Sequence, residues 1–185
     1  MAIFSTLLLA HLLGDFPLQT NRIFRMKVQG HKGLGLHATI HVLVTAILIR
    51  NFWEVWPALF VLGTLHYLTD WTKLRYATNP PLTPGFVLDQ AVHLFTLLTI
   101  TVLTPQIAPV FPLWFLIPAI ALAIIPALLT FAYVWATDRC RANIPTSRVP
   151  DSTIRWACTQ LLPITQKTGW IIVAMLAAVG LMVMT

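Results

Sequence analysis

Six apolar segments, separated by short polar or basic stretches, divide this sequence of 185 residues. They cover residues 1–16, 34–49, 53–71, 86–103, 111–136 and 169–184. A helix needs about 20 apolar residues to cross a bilayer, or about 17 when flanking side chains reach the interface. Only 10% of the residues are charged, against about a quarter in soluble proteins. The sequence therefore predicts an all-α integral membrane protein with about six transmembrane helices.

The basic residues lie almost entirely in three of the five connections between these segments. Of the 12 lysines and arginines, only Arg50 lies outside the connections that follow the first, third and fifth segments. Because cytoplasmic loops are enriched in Lys and Arg, the pattern predicts these connections in the cytoplasm and both termini outside it. The net charge of +6 does not indicate a nucleic-acid partner, since the clusters form no basic recognition helix. The sequence does not indicate an oligomeric state.

We expect a single transmembrane domain over residues 1–185. Residues 1–104 form a four-helix core, and residues 105–185 add two helices joined by a cytoplasmic segment at 137–167. Pro145, Pro150 and Pro163 predict that this segment is not one continuous helix. Within it, an apolar stripe fits either a helix on the inner leaflet or a plain loop; its members are Ile154, Cys158, Leu161 and Leu162.

Two cysteines, Cys140 and Cys158, lie in this predicted cytoplasmic segment. Disulfides are rare in the reducing cytoplasm. We therefore predict that both are free thiols, and their spacing does not indicate a metal site.

Paired polar side chains four residues apart recur in the first four apolar segments. The pairs are His11 and Asp15, His37 and His41, His66 and Asp70, and Asp89 and His93. Residues at this spacing share one face of a helix. Because successive helices alternate in direction, the predicted topology places all four pairs at the cytoplasmic ends of their helices. We interpret them as one site inside a four-helix bundle, whereas His31, which has no such partner, is predicted on the surface.

Eight polar side chains inside a membrane must be compensated, because an ionised group there costs roughly 2.5 to 3.5 kcal/mol on insertion scales. Imidazole and carboxylate groups together suit Zn²⁺, Mn²⁺ or Fe²⁺. The eight residues could hold one divalent metal ion with supporting partners, or two ions. The alternative is a structural role, in which His and Asp side chains form hydrogen bonds that tie neighbouring helices together.

Further polar residues surround the predicted site. Lys73 lies three residues after Asp70, on the same helix face, and Arg75 follows it. Lysine and arginine side chains beside a metal at the inner leaflet suit a phosphate-bearing lipid.

Gln19 and Gln90 are candidates for substrate contact or for support of the metal ligands. Asp138 is expected to pair with Arg139 or Arg141 rather than to bind metal.

Four motifs in this order carry a resemblance to a known family. They are His11-Leu-Leu-Gly-Asp15-Phe16 followed by Gln19, His37-Ala-Thr-Ile-His41, His66-Tyr-Leu-Thr-Asp70 followed by Lys73, and Asp89-Gln90-Ala-Val-His93. Over roughly the first hundred residues, the chain resembles small bacterial inner-membrane proteins catalogued only as a domain of unknown function. The resemblance implies a multi-pass protein of a bacterial inner membrane and a shared site, without a reaction. The chain is also distantly similar to membrane proteins classed as metal-dependent hydrolases.

The favoured functional hypothesis is a metal-dependent hydrolase that acts on a lipid or lipid-linked phosphate at the cytoplasmic leaflet. The metal would lower the pKa of a bound water and polarise the phosphoryl or acyl oxygen. Asp15, Asp70 or Asp89, if not a ligand, would be the general base, and Lys73 would stabilise developing negative charge.

Three other classes of membrane protein also use buried histidines. A carrier for divalent metal or protons would also use intramembrane His and Asp, but transport sites lie near the midplane. A membrane diiron oxygenase needs more histidines than the six present. A haem protein would leave the paired aspartates unexplained.

Overall fold

A computed structural model describes residues 1–76, 79–142 and 149–184. Within these ranges the chain is all-helical, with seven α-helices and no β-strand. The helices are α1 (Ala2–Asp15), α2 (Asn21–Gln29), α3 (His31–Ile47), α4 (Phe52–Tyr76), α5 (Leu82–Leu103), α6 (Leu113–Ala142) and α7 (Asp151–Met184). The predicted all-helical class is therefore confirmed for the described residues, and every helix except α2 corresponds to a predicted apolar segment.

Three of the helices are long and apolar enough to cross a membrane: α5, α6 through Arg141, and α7 through Val183. Their outer faces carry large exposed apolar side chains, such as Phe95 at 71% and Leu128 at 62% of full exposure. The hydrocarbon chains of a bilayer would cover these exposed apolar side chains, so we treat the chain as a membrane protein. Helix α1 has only 14 residues and α3 has 17, while α4 is long but carries charged residues near both ends. The count of six crossings therefore remains a prediction, as does the division of the domain at residue 104.

Helix α1 is the packing centre of the fold, because α3, α5 and α6 all pack against it. On one side Leu9 and Ala10 join a buried cluster with Leu116 of α6. On another side Leu7 joins a second buried cluster that includes Leu59 of α4. The shortest apolar helix is thus enclosed by longer ones.

Helix α2 was not expected, since its residues were assigned to a basic connection. The Thr20 hydroxyl caps its start by accepting a hydrogen bond from the backbone N–H of Ile23 at 3.3 Å. The chain reverses at Gly30, whose φ of +155° favours glycine. Gly33 then lets α3 lie directly against α2, since a Cβ there would be 2.0 Å from the backbone carbon of Met26. These contacts hold α2 against the start of α3.

The connecting segment between α6 and α7 is more helical than predicted. Helix α6 continues to Ala142, and α7 begins at Asp151, directly after Pro150, and runs through Pro163 without a break. The segment is not one continuous helix, as predicted, because α6 and α7 are separate helices. Pro163 nevertheless lies inside α7 without interrupting it; a long membrane helix tolerates proline when neighbours compensate for the missing bond. The plain-loop alternative is wrong for residues 151–167. Pro145 and Arg148 lie outside the described residues.

The apolar stripe of this segment faces the rest of the protein. Ile154 and Leu161 are buried, and α7 packs along α6. As a result Cys140 and Cys158 meet and form a disulfide. The prediction of free thiols is therefore wrong. It rested on the reducing environment of the predicted cytoplasmic location, whereas the packing of α7 along α6 brings these cysteines side by side.

Asp138, near the end of α6, caps the start of α5. Its carboxylate accepts hydrogen bonds from the backbone N–H groups of Leu82 and Thr83, each at 2.7 Å, and from the Thr83 hydroxyl at 2.6 Å. The predicted pairing with Arg139 or Arg141 is not observed within the described residues, and the Arg139 guanidinium instead lies over the Trp135 ring. Free N–H groups at a helix start are good partners for this buried carboxylate, because they carry a partial positive charge and need hydrogen-bond acceptors.

Candidate metal centre

Four helices contribute two side chains each to one buried cluster. The cluster consists of His11 and Asp15 of α1, His37 and His41 of α3, His66 and Asp70 of α4, and Asp89 and His93 of α5. None of the eight is more than 7% exposed. We call this set the His/Asp cluster. The i, i+4 spacing turns both members of each pair inward, and the packing around α1 brings the four pairs to the same depth.

Asp15 lies at the middle of the His/Asp cluster. Its Oδ1 atom is 3.1 Å from His37 Nε2, 3.0 Å from His41 Nε2 and 3.6 Å from His66 Nε2. Its Oδ2 atom is 3.6 Å from His11 Nε2. One carboxylate thus contacts four imidazoles from three helices.

The imidazole rings also contact one another. The centroids of His41 and His66 are 3.7 Å apart, and those of His66 and His93 are 4.2 Å apart. His11 lies 5.0 Å from His93 and 5.5 Å from His41. The rings therefore form a continuous group that links α1, α3, α4 and α5.

Two lysines contact the remaining aspartates. Lys27 Nζ is 2.6 Å from Asp70 Oδ1, and Lys73 Nζ is 2.7 Å from Asp89 Oδ2. Lys27 comes from α2 and is itself only 6% exposed, which is unusual for a lysine and requires a paired charge. Lys73 is more open, with 28% of its side chain exposed.

Three groups within the cluster have the geometry to hold a metal ion. They are His11, Asp15, His41 and His66; His37, His66 and Asp70; and Asp70, Asp89 and His93. In each group the candidate ligand atoms lie within 4.8 Å of one another. Around a tetrahedral zinc with ligands at about 2.05 Å, ligand atoms are separated by about 3.3 Å. The distances from Asp15 to His11, His41 and His66, between 3.0 and 3.6 Å, bracket that value.

Five buried polar atoms of the cluster have no hydrogen-bond partner among the described residues. They are His37 Nδ1, His66 Nε2, Asp70 Oδ2, Asp89 Oδ1 and His93 Nε2. Buried polar atoms are nearly always paired, and each unpaired one costs about 1 to 3 kcal/mol. All five are nitrogen or oxygen atoms of the types that bind divalent metals.

Gly14 makes room for His41. A Cβ at this position would lie 2.5 to 2.8 Å from three atoms of the His41 ring, closer than real contacts allow. The absence of a side chain on α1 therefore lets the ring approach Asp15.

A small cavity of about 10 Å³ lies beside the imidazole rings. Its lining consists of His11, His41, His66 and His93 together with leucines and threonines. That volume holds about one water molecule.

The two predicted glutamines both contact the cluster or its lysines. Gln90 Nε2 donates hydrogen bonds to Asp15 Oδ2 at 3.1 Å and to Asp89 Oδ2 at 3.2 Å. Gln19, just after α1, accepts a hydrogen bond from Lys27 Nζ at 3.2 Å. Each glutamine thus orients a charged group.

Two other predicted residues lie apart from the cluster. The Arg75 guanidinium is exposed and lies over the Trp71 ring at 5.6 Å from its centroid. His31 is exposed, as predicted, and contacts the Tyr67 hydroxyl. Neither contacts the His/Asp cluster within the described part of the chain.

Lys27 and Gly14 were missed as site residues. Lys27 was expected only as one of several basic residues near the site helices, which either phosphate recognition or membrane topology would explain. Its contact with Asp70 was not predicted, although the Thr20 cap was a local signal for a helix there. Gly14 lies inside the first motif, but only the packing of α3 against α1 reveals its contact with His41.

A family model described as a protein of unknown function (DUF3307) matches residues 3–133. The matched region contains all eight residues of the His/Asp cluster. The resemblance to a family of unknown function is therefore confirmed, and it extends past the first hundred residues. No curated protein and no solved structure matches the chain.

Proposed function

The chain belongs to the DUF3307 family of proteins of unknown function, and we propose that it is a membrane-embedded hydrolase that depends on a divalent metal. Its substrate is a lipid or lipid-linked phosphate at the cytoplasmic leaflet of a bacterial inner membrane. The single observation that supports this best is the convergence of His11, Asp15, His41 and His66 ligand atoms to within 4.8 Å of one another. Buried imidazoles and a carboxylate at that spacing fit Zn²⁺, with Mn²⁺ and Fe²⁺ as the other candidates.

Metal binding explains the cluster better than hydrogen bonds between helices do. A network built for helix contact would satisfy its buried members. Here His66 Nε2 lies 3.3 Å from Asp70 Oδ2 and His93 Nε2 lies 3.6 Å from Asp89 Oδ1, and none of these four atoms forms a hydrogen bond within the described residues. Asp15 Oδ1 has three imidazole nitrogens within 3.6 Å, but it offers only two lone pairs. A metal ion would bind several of these nitrogens together with the carboxylate.

Lys73, Asp70 and Asp89 supply the remaining chemistry of a hydrolase. A bound metal would generate a hydroxide-like water and polarise a phosphoryl oxygen. Asp70 Oδ2 and Asp89 Oδ1 are buried and unpaired among the described residues, so either can accept the proton of an attacking water. Lys73 is partly exposed beside Asp89, where its ammonium can stabilise developing negative charge.

The position of the cluster in the fold supports a lipid substrate. The pairs lie at the end of α1, across the middle of α3, in the second half of α4 and around the middle of α5. The nearer ends of these helices adjoin the basic connections that the positive-inside rule assigns to the cytoplasm, with both termini on the other side. A phosphate group at the inner leaflet would therefore meet the lysines first.

The carrier alternative has less support. A carrier needs a path that continues to the opposite side of the membrane. The cavity beside the imidazoles has a volume of about 10 Å³, and its lining includes the apolar side chains of Leu7, Leu62 and Leu97. A space that holds about one water molecule does not make a path across the membrane.

The primary test measures metal in protein purified in detergent, with any affinity tag removed. We expect bound metal in the wild type, and a large loss in His66→Ala and in Asp15→Ala, because both residues belong to the proposed set of ligands. His31→Ala is the matched control, because it removes an exposed imidazole outside the cluster. Wild-type protein without metal, or variants with unchanged metal content, would contradict the proposal.

The reaction is tested separately with vesicles that contain phosphorylated lipids. We expect phosphate release that a chelator stops and added metal restores. Asp89→Asn should retain metal on the Asp15 side of the cluster and lose turnover. Release that is indifferent to both the chelator and this substitution would refute the hydrolase.

A further inference from the structure

We infer that Lys27 and Lys73 limit the His/Asp cluster to one divalent ion and bind the anionic part of the substrate. The inference rests on the proposed metal site. It adds a stoichiometry and a second anion-binding group, Lys27 on α2, a helix that is not among the four predicted for the core.

The charges of the cluster support one ion. Asp15, Asp70 and Asp89 bring three negative charges, and the two lysines bring two positive ones. With neutral imidazoles, one divalent ion leaves a single net positive charge, whereas two ions leave three. An uncompensated buried charge is costly. A single positive charge is neutralised by one anionic oxygen of a substrate. The cluster with one divalent ion and one bound anion would therefore have no net charge.

The lysines are distributed unevenly over the three candidate ion positions. Lys27 contacts Asp70 and Lys73 contacts Asp89, so the group formed by Asp70, Asp89 and His93 already holds two cations. Within the described residues no lysine contacts Asp15, whose neighbours are imidazoles and Gln90. The ion therefore belongs with Asp15, His11, His41 and His66.

Lys27 is held in place by its helix. The close contact of Gly33 with the Met26 backbone fixes α2 against α3, and Gln19 accepts a hydrogen bond from the ammonium at 3.2 Å. An ammonium has three donors, and Lys27 uses two of them on Asp70 and Gln19. Lys73 has one carboxylate partner, Asp89, and is the more exposed of the two. Both ammoniums keep donor capacity for a phosphate oxygen.

The test counts Zn²⁺ ions per chain by equilibrium dialysis and elemental analysis of the full-length protein. We expect one tightly bound ion in the wild type and two in the Lys27→Met, Lys73→Met double variant, because Asp70 and Asp89 are then free for a second ion. The matched control is Arg22→Met, Arg25→Met, which removes two exposed charges, both from α2, and should stay at one ion. Two ions in the wild type, or one in the folded double variant, would overturn the inference.

A second measurement covers the case in which the double variant does not fold. Lys73→Met alone removes a partly exposed side chain and leaves Lys27 in place. Inorganic phosphate should bind zinc-loaded wild-type protein at least about 10-fold more tightly than zinc-loaded Lys73→Met, since a charge-assisted hydrogen bond contributes about 1.5 to 3 kcal/mol. Equal phosphate affinity in the two proteins would refute the role in anion binding.

The outcomes separate this inference from the proposed reaction. One Zn²⁺ per chain and lysine-dependent phosphate binding, without hydrolysis of any lipid phosphate, would refute the hydrolase and leave the inference standing. Lipid hydrolysis by a protein with two Zn²⁺ ions per chain would do the reverse. Failure of the wild type to bind any of Zn²⁺, Mn²⁺ and Fe²⁺ would refute both.

Discussion

Replacing Gly14 with alanine should weaken metal binding while strengthening the helix that carries the residue. The new Cβ would lie 2.5 Å from His41 Cε1, whereas ordinary contacts begin at 3.4 Å. The ring must therefore move by about 1 Å, and on its other side His66 is already stacked at a centroid distance of 3.7 Å. The movement breaks the 3.0 Å approach of His41 Nε2 to Asp15 Oδ1.

The size of the effect follows from the displacement of a single candidate ligand. Substitutions that disturb ligand orientation lower metal affinity by about 10- to 100-fold, which corresponds to about 1.4 to 2.7 kcal/mol. Alanine in place of glycine inside a helix favours folding by up to about 1 kcal/mol, but pushing His41 aside in a packed core costs about 1 to 3 kcal/mol. The melting temperature of the metal-free protein measures the net effect on folding, and Zn²⁺ affinities are compared at a temperature at which both proteins are folded.

Competition with a chelator of known Zn²⁺ affinity measures the binding change, and thermal denaturation in detergent measures stability. Gly35→Ala is the matched control, because Gly35 lies in α3 with open space where its Cβ would be. It should keep wild-type Zn²⁺ affinity and gain similar helix stability. Wild-type Zn²⁺ affinity in Gly14→Ala would refute the argument that the absent side chain positions His41.

Three further predictions concern other parts of the fold. Asp138→Ala should lower stability by about 0.5 to 2 kcal/mol through loss of the cap on α5, measured by thermal denaturation, and should leave the Zn²⁺ stoichiometry unchanged; an unaltered melting temperature would contradict the capping role. A thiol-specific maleimide should label Cys140 and Cys158 only after reduction, as detected by intact mass; labelling of untreated protein would argue against the disulfide. A reporter fused to the C-terminus should be active outside the cytoplasm, and cytoplasmic activity would refute the predicted topology.

The positions of the eight clustered side chains were predictable because they depend on two simple rules, the helical repeat and the alternating direction of successive helices. The i, i+4 spacing assigns both members of a pair to one helix face, and the alternation of helix direction assigns each pair a depth. His11 of α1 and His93 of α5 are far apart in sequence, yet both rules place them at the same end of the fold. What these side chains bind remains a prediction.

Features that depend on how helix ends meet were not predictable in the same way. The position of Lys27 depends on the reversal at Gly30, and the disulfide depends on how far α6 and α7 extend beyond their apolar parts. The cap provided by Asp138 likewise depends on the lateral packing of α6 beside α5. Hydropathy reports which residues prefer lipid, but it contains no information about contacts between polar helix ends.

The wide spacing of the cluster along the chain has a consequence for biosynthesis. Its first member is residue 11 and its last is residue 93, so the set is complete only after α5 has left the ribosome and entered the bilayer. The four residues proposed to hold the ion end at His66, so a chain synthesised as far as α4 already carries them. Lys73 gains its partner Asp89, and Asp15 its partner Gln90, only when α5 follows. Assembly of the ion site and assembly of its supporting contacts are thus separate stages of biosynthesis.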